Sequence, residues 1–314
     1  MTLLLQYTII FASVLMLVAL GGCFAERSGV INIGLEGIMV IGALGGALVM
    51  KFLPVSVGAP VMVISTILVA AVFGLLYSLL LAVAAISYKA DQTITGTAMN
   101  ILATAAATVA VKAMNTAASG GNDVSSDIAY THTKDLFIVR MGEFEFNWFM
   151  LVAVICLVVS FVALYKSKFG LRLRACGEHP QAADSVGINV YKMRYAGVLI
   201  SGLLGGLGGI VYITAGVSVW KFENGVAGFG FLAMAVMIFG GWHPLKIALA
   251  SLLFGFFRAL GNVYCGFDFM LALNIPSVVY NMLPYIISLV VLAFTSKQSQ
   301  GPKAAGIPYD KGTR

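Results

Sequence analysis

The chain is poor in charge. Only 10% of its 314 residues are Asp, Glu, Lys or Arg, against roughly a quarter in soluble domains. Acids are the scarcer sign, 13 against 19 Lys and Arg. The three histidines, His132, His179 and His243, all fall in segments that read as loops. Cys23, Cys156, Cys176 and Cys265 show no CxxC spacing and no neighbouring histidine pair. That argues against a zinc site or a disulfide framework and leaves them as apolar filler. No GxxxxGK[ST] occurs, so no lysine and hydroxyl are placed to hold a nucleotide and its Mg²⁺. There is no HExxH, and no serine, cysteine or carboxylate pair in register with a base, which leaves an enzyme without a residue set. A proton-coupled pump generally carries several buried acids or histidines. Here Glu36 stands inside an apolar run, while Asp91 and Asp268 lie close to loops.

What fills the chain instead is apolar: 60% hydrophobic residues and a mean hydropathy of +0.96. Runs of about 20 such residues make a polytopic membrane protein, an all-α helical bundle. The runs suggest nine spans: Leu3 to Phe24, Val30 to Met50, Val57 to Ser87, Ile94 to Val111, Trp148 to Tyr165, Tyr195 to Val219, Val226 to Gly241, Leu245 to Val263 and Val278 to Thr295. The third is long enough to require tilt, a kink at Gly74 or a start outside the bilayer. No Lys or Arg precedes the first run, so it reads as a span and not as a cleaved signal peptide.

Charge orients the bundle. The segment 166–194 carries Lys166, Lys168, Arg172, Arg174, Lys192 and Arg194 against Glu178 and Asp184. The segment 112–147 carries five acids against Lys112, Lys134 and Arg140. Basic loops stay in the cytoplasm, so 166–194 is expected inside and 112–147 outside. The span count then puts the basic tail 296–314 inside and the N-terminus outside, with 1–295 as the transmembrane domain. Four spans on either side of one, in opposite orientation, fit an inverted repeat, a plan common in transporters. Trp148, Trp220 and Trp242 fall at span ends, as an aromatic belt would place them.

Polar residues inside the runs mark candidate sites. Asn32 and Glu36, one helical turn apart, point from one face if the second span is helical throughout. A carboxylate there must face protein or an aqueous path. Glu36 can bond to neighbouring helix ends or meet cargo. Thr93, Thr97, Asn100, Thr104 and Thr108 recur at three- and four-residue spacing, a polar stripe expected inside the bundle. It could join helices by hydrogen bonds or wall a substrate path. Gly42 with Gly46, Gly202 with Gly206, and Gly205 with Gly209 give the small-xxx-small spacing of close helix packing. In the basic loop, Glu178-His179-Pro180 reads as a break before a short helix from Gln181 to Val186, stopped by Gly187. That element suits either docking to a cytosolic partner or a plain solvated loop.

Five ordered stretches carry a resemblance: ERSGVINIGLEGIMVIGALGG, DQTITGTAMNILA, LRACGEHPQAADSVGINVYKMRY, GLLGGLGG and AVMIFGGWHPLKIALASLLFG. Together they resemble the inner-membrane permeases of bacterial ATP-binding-cassette importers, in the group of ribose and branched-chain amino acid permeases. GVINIGLEGIM and DQTITGTAMN look most like its nucleoside-importer branch. The resemblance implies a vitamin-importer-like permease fold and a multi-pass protein of the bacterial cytoplasmic membrane. It also implies a pair of permeases, alike or different, on two cytosolic ATPase subunits that bind ATP and Mg²⁺. An external substrate-binding protein or lipoprotein would deliver the cargo. This chain itself would need no cofactor. The RACGEHPQAADSVGI stretch matches the coupling helix, with Arg174, Gly177, Pro180, Ala182 and Gly187 on the motif; His179 stands where relatives usually have Asn. The expected function is a nucleoside path gated by ATPase partners. Asn32 and the threonine stripe would bond the ribose and base, with Phe229, Phe231 and Phe239 against the ring. A sugar or other polar cargo, or a stand-alone secondary transporter, is the competing reading. Glu36 is expected in the cytoplasmic half of its span, organising the inner gate.

Overall fold

A computed structural model of the chain describes residues 2–130, 133, 135–142, 144–215, 219–267, 276–295 and 301–311. Asp268, His132, Lys134, Glu143 and the tail residues Lys297 and Arg314 lie outside the described residues. The elements are α1 (Thr2–Arg27), α2 (Leu35–Phe52), α3 (Ala59–Ala82) running on through a π turn to Ser87, and α4 (Gln92–Ala118). After them come α5 (Trp148–Phe161), α6 (Lys168–Glu178), α7 (Pro180–Ser185) and α8 (Val190–Thr214). The last three are α9 (Phe229–Phe239), α10 (Pro244–Val263) and α11 (Ser277–Thr295). Among the described residues eight helices are long and apolar enough to cross a membrane, and α11 adds a further helix of 19 residues.

Two helices form the middle. Every residue of α1 from Ile10 to Glu26 is buried, because a helix that is apolar all round must be covered on all sides. In α8 the run from Leu204 to Thr214 is buried in the same way. Glycine decides how α2 and α3 reach α8. A methyl built on Gly42 would overlap the backbone of Gly206, one on Gly206 the Ala70 carbonyl, and one on Gly74 the Gly202 carbonyl. Further along, one on Gly209 would overlap the Met39 carbonyl, and one on Gly46 would lie 2.6 Å from Ile210. The three helices thus touch backbone to backbone, which only residues without a side chain permit. The outer helices leave apolar faces open, such as Ile64, Leu68 and Leu76 on α3 and Val154 and Val158 on α5, the surface a lipid environment covers.

Several spans differ from the apolar runs. Residues 28–34 are not helical, so Asn32 precedes α2 and does not share a helical face with Glu36. The cause is local. Gly29 takes a φ of +95°, a left-handed conformation that suits glycine, and Val30, Ile31 and Ile33 resist helix through their β-branches. Helix α9 proper has 11 residues, about 16 Å at 1.5 Å per residue and so half a bilayer core; the span counted above reaches full length only with the irregular stretch before it, from Phe222. The basic segment holds a further helix, α6, which starts where the Ser167 side chain accepts from Gly170 N. Helix α7 ends at Ser185, and Gly187 has a φ of +83°.

The end opposite the basic loop carries small strands in an otherwise helical fold. β1 (Asp127–Ala129) pairs antiparallel with β4 (Val219–Lys221), and β2 (Ile138–Met141) with β3 (Phe144–Asn147). Trp220 lies on β4. Trp242 is not an interfacial belt residue: it is 6% exposed, and its indole Nε1 donates to Glu26 Oε2 at 2.6 Å.

Candidate functional site

In an apolar surround every backbone N–H and C=O needs a partner from within the protein. The non-helical stretch 28–34 meets that need with side-chain amides from α4. Ile31 N donates to Gln92 Oε1 at 2.7 Å. Asn100 Nδ2 donates to the Ile33 carbonyl at 3.0 Å, while Gly37 N donates to Asn100 Oδ1 at 2.8 Å. Asn100 therefore clamps both sides of the start of α2. Asn32 is 1% exposed and donates to Ser201 Oγ at 2.8 Å.

The second irregular start is that of α9. Gly228 enters it with a φ of +81°, leaving the first N–H groups of the helix open. Glu36 fills them: its two carboxylate oxygens accept from Gly228 N and Gly230 N, each at 2.7 Å. A carboxylate on a helix N-terminus also meets the positive end of the helix dipole. Glu36 is thus a cap between helices. Measured along the helices, it lies about 16 Å from the Trp242 end and about 22 Å from Lys51 at the other. That is close to the middle of the bundle, displaced toward the basic end.

The polar stripe does not lie inside the chain. Helix α4 buries Gln92, Gly96, Met99, Ala103 and Ala107, because these small or slender residues admit the start of α2. A methyl on Gly96 would stand 2.9 Å from Gly34 N. Thr93 and Thr97 are exposed, and Asn100, Thr104 and Thr108 half-buried. The stripe forms one flank of α4 and looks across at the entry to α9, where Gly225 lies near Thr104 Oγ1. Thr97 Oγ1 and Thr104 Oγ1 also bond back to the carbonyls of Thr93 and Asn100. Tyr285, on α11, donates from its hydroxyl to the Ala227 carbonyl at 2.9 Å. Phe231, in the first turn of α9, is 48% exposed, whereas Phe229 is buried against Phe11 and Tyr212 and Phe239 packs on Phe254. The open flank of α4 thus holds threonine hydroxyls, while the Asn100 amide is bonded to the start of α2 and the Glu36 carboxylate to helix N–H groups.

Arg258 is the residue that periodicity did not single out. It lies well inside α10, with its guanidinium 5.4 Å from the Phe229 ring centre and 5.6 Å from that of Phe11. A lone arginine in the eighth apolar run was the available signal.

At the basic end the motif residues divide by role. Arg174 stacks on Tyr165, 4.6 Å from ring centre. Gly177 is buried under the Arg27 carbonyl, and Pro180 is buried. Ala182 and Gly187 are exposed, as is Val186 at 75%. Arg27 links this region to the α9–α10 turn: Nη1 lies 3.7 Å from Glu178 Oε1, and Nε and Nη2 donate to the Trp242 carbonyl at 3.3 Å. His243, in that turn, has its pKa lowered by burial and then by the charges of Lys246 and Arg27. Among the described residues no cluster of three His, Cys, Asp or Glu is placed to hold a metal.

Comparison with known proteins adds the following. The profile of the family described as branched-chain amino acid transport system / permease component matches residues 4–294. The guanosine ABC transporter permease protein NupQ of Bacillus subtilis (strain 168) is 41% identical over 318 residues, covering 100% of this chain and 98% of its own length. The nucleoside ABC transporter permease protein NupC of Lactococcus lactis subsp. cremoris (strain MG1363) is 38% identical, covering 96% of this chain and 95% of its own. A second nucleoside permease protein of that strain, NupB, is 26% identical over 76% of this chain and 67% of its own length. No solved structure matches.

Proposed function

The chain belongs to the branched-chain amino acid transport system / permease component family, and on that footing we propose that its cargo is a nucleoside, carried along the open polar face of α4, α9 and α11. It is a multi-pass protein of the cytoplasmic membrane and a non-enzymatic permease subunit, with ATP hydrolysis on a separate subunit. The observation that carries the cargo reading is the state of Glu36. Its charge is taken up by Gly228 N and Gly230 N, so Glu36 is not a free anion on this face, and the threonines of α4 give the face neutral hydroxyls. A neutral solute with many hydroxyls and a flat ring fits that chemistry. Thr97, Asn100 and Thr104 suit the ribose and base edges, and Phe231 and Tyr285 the base plane. Relatives named for guanosine and nucleoside transport support the same assignment.

Because this face lies on the outside of one chain, it needs a second permease opposite to close a path. Two differently named permeases from one Lactococcus strain match the chain, which supports a pair of related but distinct chains. ATPase subunits would meet the exposed side of α7, at Ala182, Val186 and Gly187, and an external binding protein the opposite end. ATP and Mg²⁺ belong to the ATPase. ATP-driven closure of those subunits would move α6 and α7 and alternate access to the path. The test is uptake by the reconstituted transporter. Labelled guanosine or adenosine should accumulate only with ATP and should be displaced by unlabelled nucleosides. Displacement by glucose or leucine with no effect of nucleosides would overturn the assignment. Uptake without any ATPase would overturn the importer reading as a whole.

A further inference from the structure

The segment 301–311 has no regular secondary structure beyond turns, yet it is packed down on the basic end. Tyr309 is 4% exposed and sits among Cys176, Ala183 and Val190, with its ring edge-on to Tyr191 at 5.4 Å. Ala304 N donates to the Gly177 carbonyl at 2.9 Å. Arg194, buried at the start of α8, donates from Nη1 to the Ile307 carbonyl at 2.9 Å. Asp310 pairs with Lys89 at 2.8 Å. A methyl on Gly306 would stand 2.9 Å from Ile31 Cδ1.

These contacts fall on two groups of elements. Gly177, Cys176 and Ala183 belong to α6 and α7. Lys89 lies in the turn that leads into α4, and Ile31 belongs to the non-helical stretch held by Gln92 and Asn100. An extended segment loses backbone freedom at every residue it orders, so it stays in place only through specific contacts of this kind. Its contacts join the helices that face the ATPase to the elements beneath Glu36.

We propose that residues 301–311 are a positioning strap that transmits displacement of α6 and α7 to the start of α4 and to the 28–34 stretch, with Tyr309 as its key. The proposal rests on the reading that α7 meets an ATPase. Tyr309 fills the space between the two coupling helices and α8, so their movement carries the strap. The strap in turn pulls on Lys89 and bears on Ile31. The Tyr309 ring is the contact that matters, and its removal should loosen coupling without touching the ATPase site or the cargo face.

The test uses the whole transporter in proteoliposomes, with ATP hydrolysis and nucleoside uptake read on the same preparation. Tyr309→Ala should lower nucleoside moved per ATP hydrolysed about tenfold while hydrolysis stays within about twofold, and Tyr309→Phe should restore the ratio. In a background of Cys23→Ala, Cys156→Ala and Cys265→Ala, Cys176 should react about tenfold faster with a maleimide in the Tyr309→Ala protein, since Tyr309 covers it. If Tyr309→Ala prevents assembly, Asp310→Lys decides: its ratio should fall and return on adding Lys89→Asp. Position 89 has a φ of 55°, which aspartate accepts. Faster labelling with an unchanged ratio would reduce the strap to packing and overturn the proposal, as would labelling that does not change. Uptake by the unaltered chain without ATPase would overturn the coupling reading beneath it, and that result is distinct from either.

Discussion

Glu36 offers the sharpest test of the geometry. Replacing it with alanine leaves the N–H groups of Gly228 and Gly230 without their 2.7 Å acceptors. An unsatisfied buried donor costs about 1–3 kcal/mol, and the lost charge at a helix N-terminus up to about 2 kcal/mol more. Relief from burying the carboxylate offsets part of this, leaving a net loss of about 2–5 kcal/mol. At roughly 2–4 °C per kcal/mol, the slope for chains of about 150–250 residues, the thermal midpoint in detergent should fall by about 4–20 °C. Glutamine keeps one acceptor oxygen and turns an NH₂ toward the other N–H, so it should lie midway. Aspartate falls short by one methylene and should retain a single bond. The assay is thermal unfolding of purified chain or complex, with uptake measured on the same variants. If Glu36 acted on cargo or protons and not as a cap, glutamine would abolish uptake and leave the midpoint within about 1 °C of the parent. That result would refute the reasoning.

Gly206→Ala should be among the most disruptive methyl additions, since the new atom meets the carbonyl of Ala70; loss of monodisperse protein on gel filtration is the expected outcome, and normal yield and uptake would contradict the backbone contact. Asn100→Ala should destabilise the chain by about 2–4 kcal/mol, because it removes bonds to both Ile33 and Gly37; a change in nucleoside affinity with no change in midpoint would assign it to cargo alone. Trp242→Phe keeps the ring but leaves Glu26 without the 2.6 Å indole donor, and a loss of about 1–3 kcal/mol in unfolding is expected. His243, whose pKa is lowered when folded, takes up its proton more readily in the unfolded chain. Its contribution is therefore intact above the ordinary value near 6.5 and lost as pH falls through it toward the folded pKa. The midpoint should drop between about pH 7 and 5 by more in the parent than in His243→Gln.

Much of the bundle could be read from the chain because apolar length and small-residue spacing act directly on packing. Gly42, Gly202, Gly206 and Gly209 all lie in close helix contacts, and Gly187 does end the short helix α7. What could not be read were interruptions of helix inside apolar sequence. Val30 to Ile33 is as hydrophobic as a helix there would be, and the partners that allow it to be extended, Gln92 and Asn100, lie more than 60 residues away. The same holds for α9, whose late start depends on Glu36, 192 residues from Gly228. Helical spacing correctly grouped the threonines of α4 on one flank, yet spacing alone could not say that Gly96, Ala103 and Ala107 hold the buried one. Nothing in the pattern of 301–311 announces that Tyr309 is buried.

The contact of α2, α3 and α8 through Gly42, Gly74 and Gly206 has a mechanical meaning. Side chains can yield to a push by changing rotamer, and a seam made of main chain has no rotamers to change. A force applied to one of these three helices therefore reaches the others undiminished, and they travel as one body. Helices α9 and α4 join that body in two ways, by the side chains of Glu36 and Asn100 and by close main-chain approaches of Gly230 to Glu36 and of Gly37 to Met99. Glycine thus builds a frame that extends from α8 through α2 to the starts of α4 and α9.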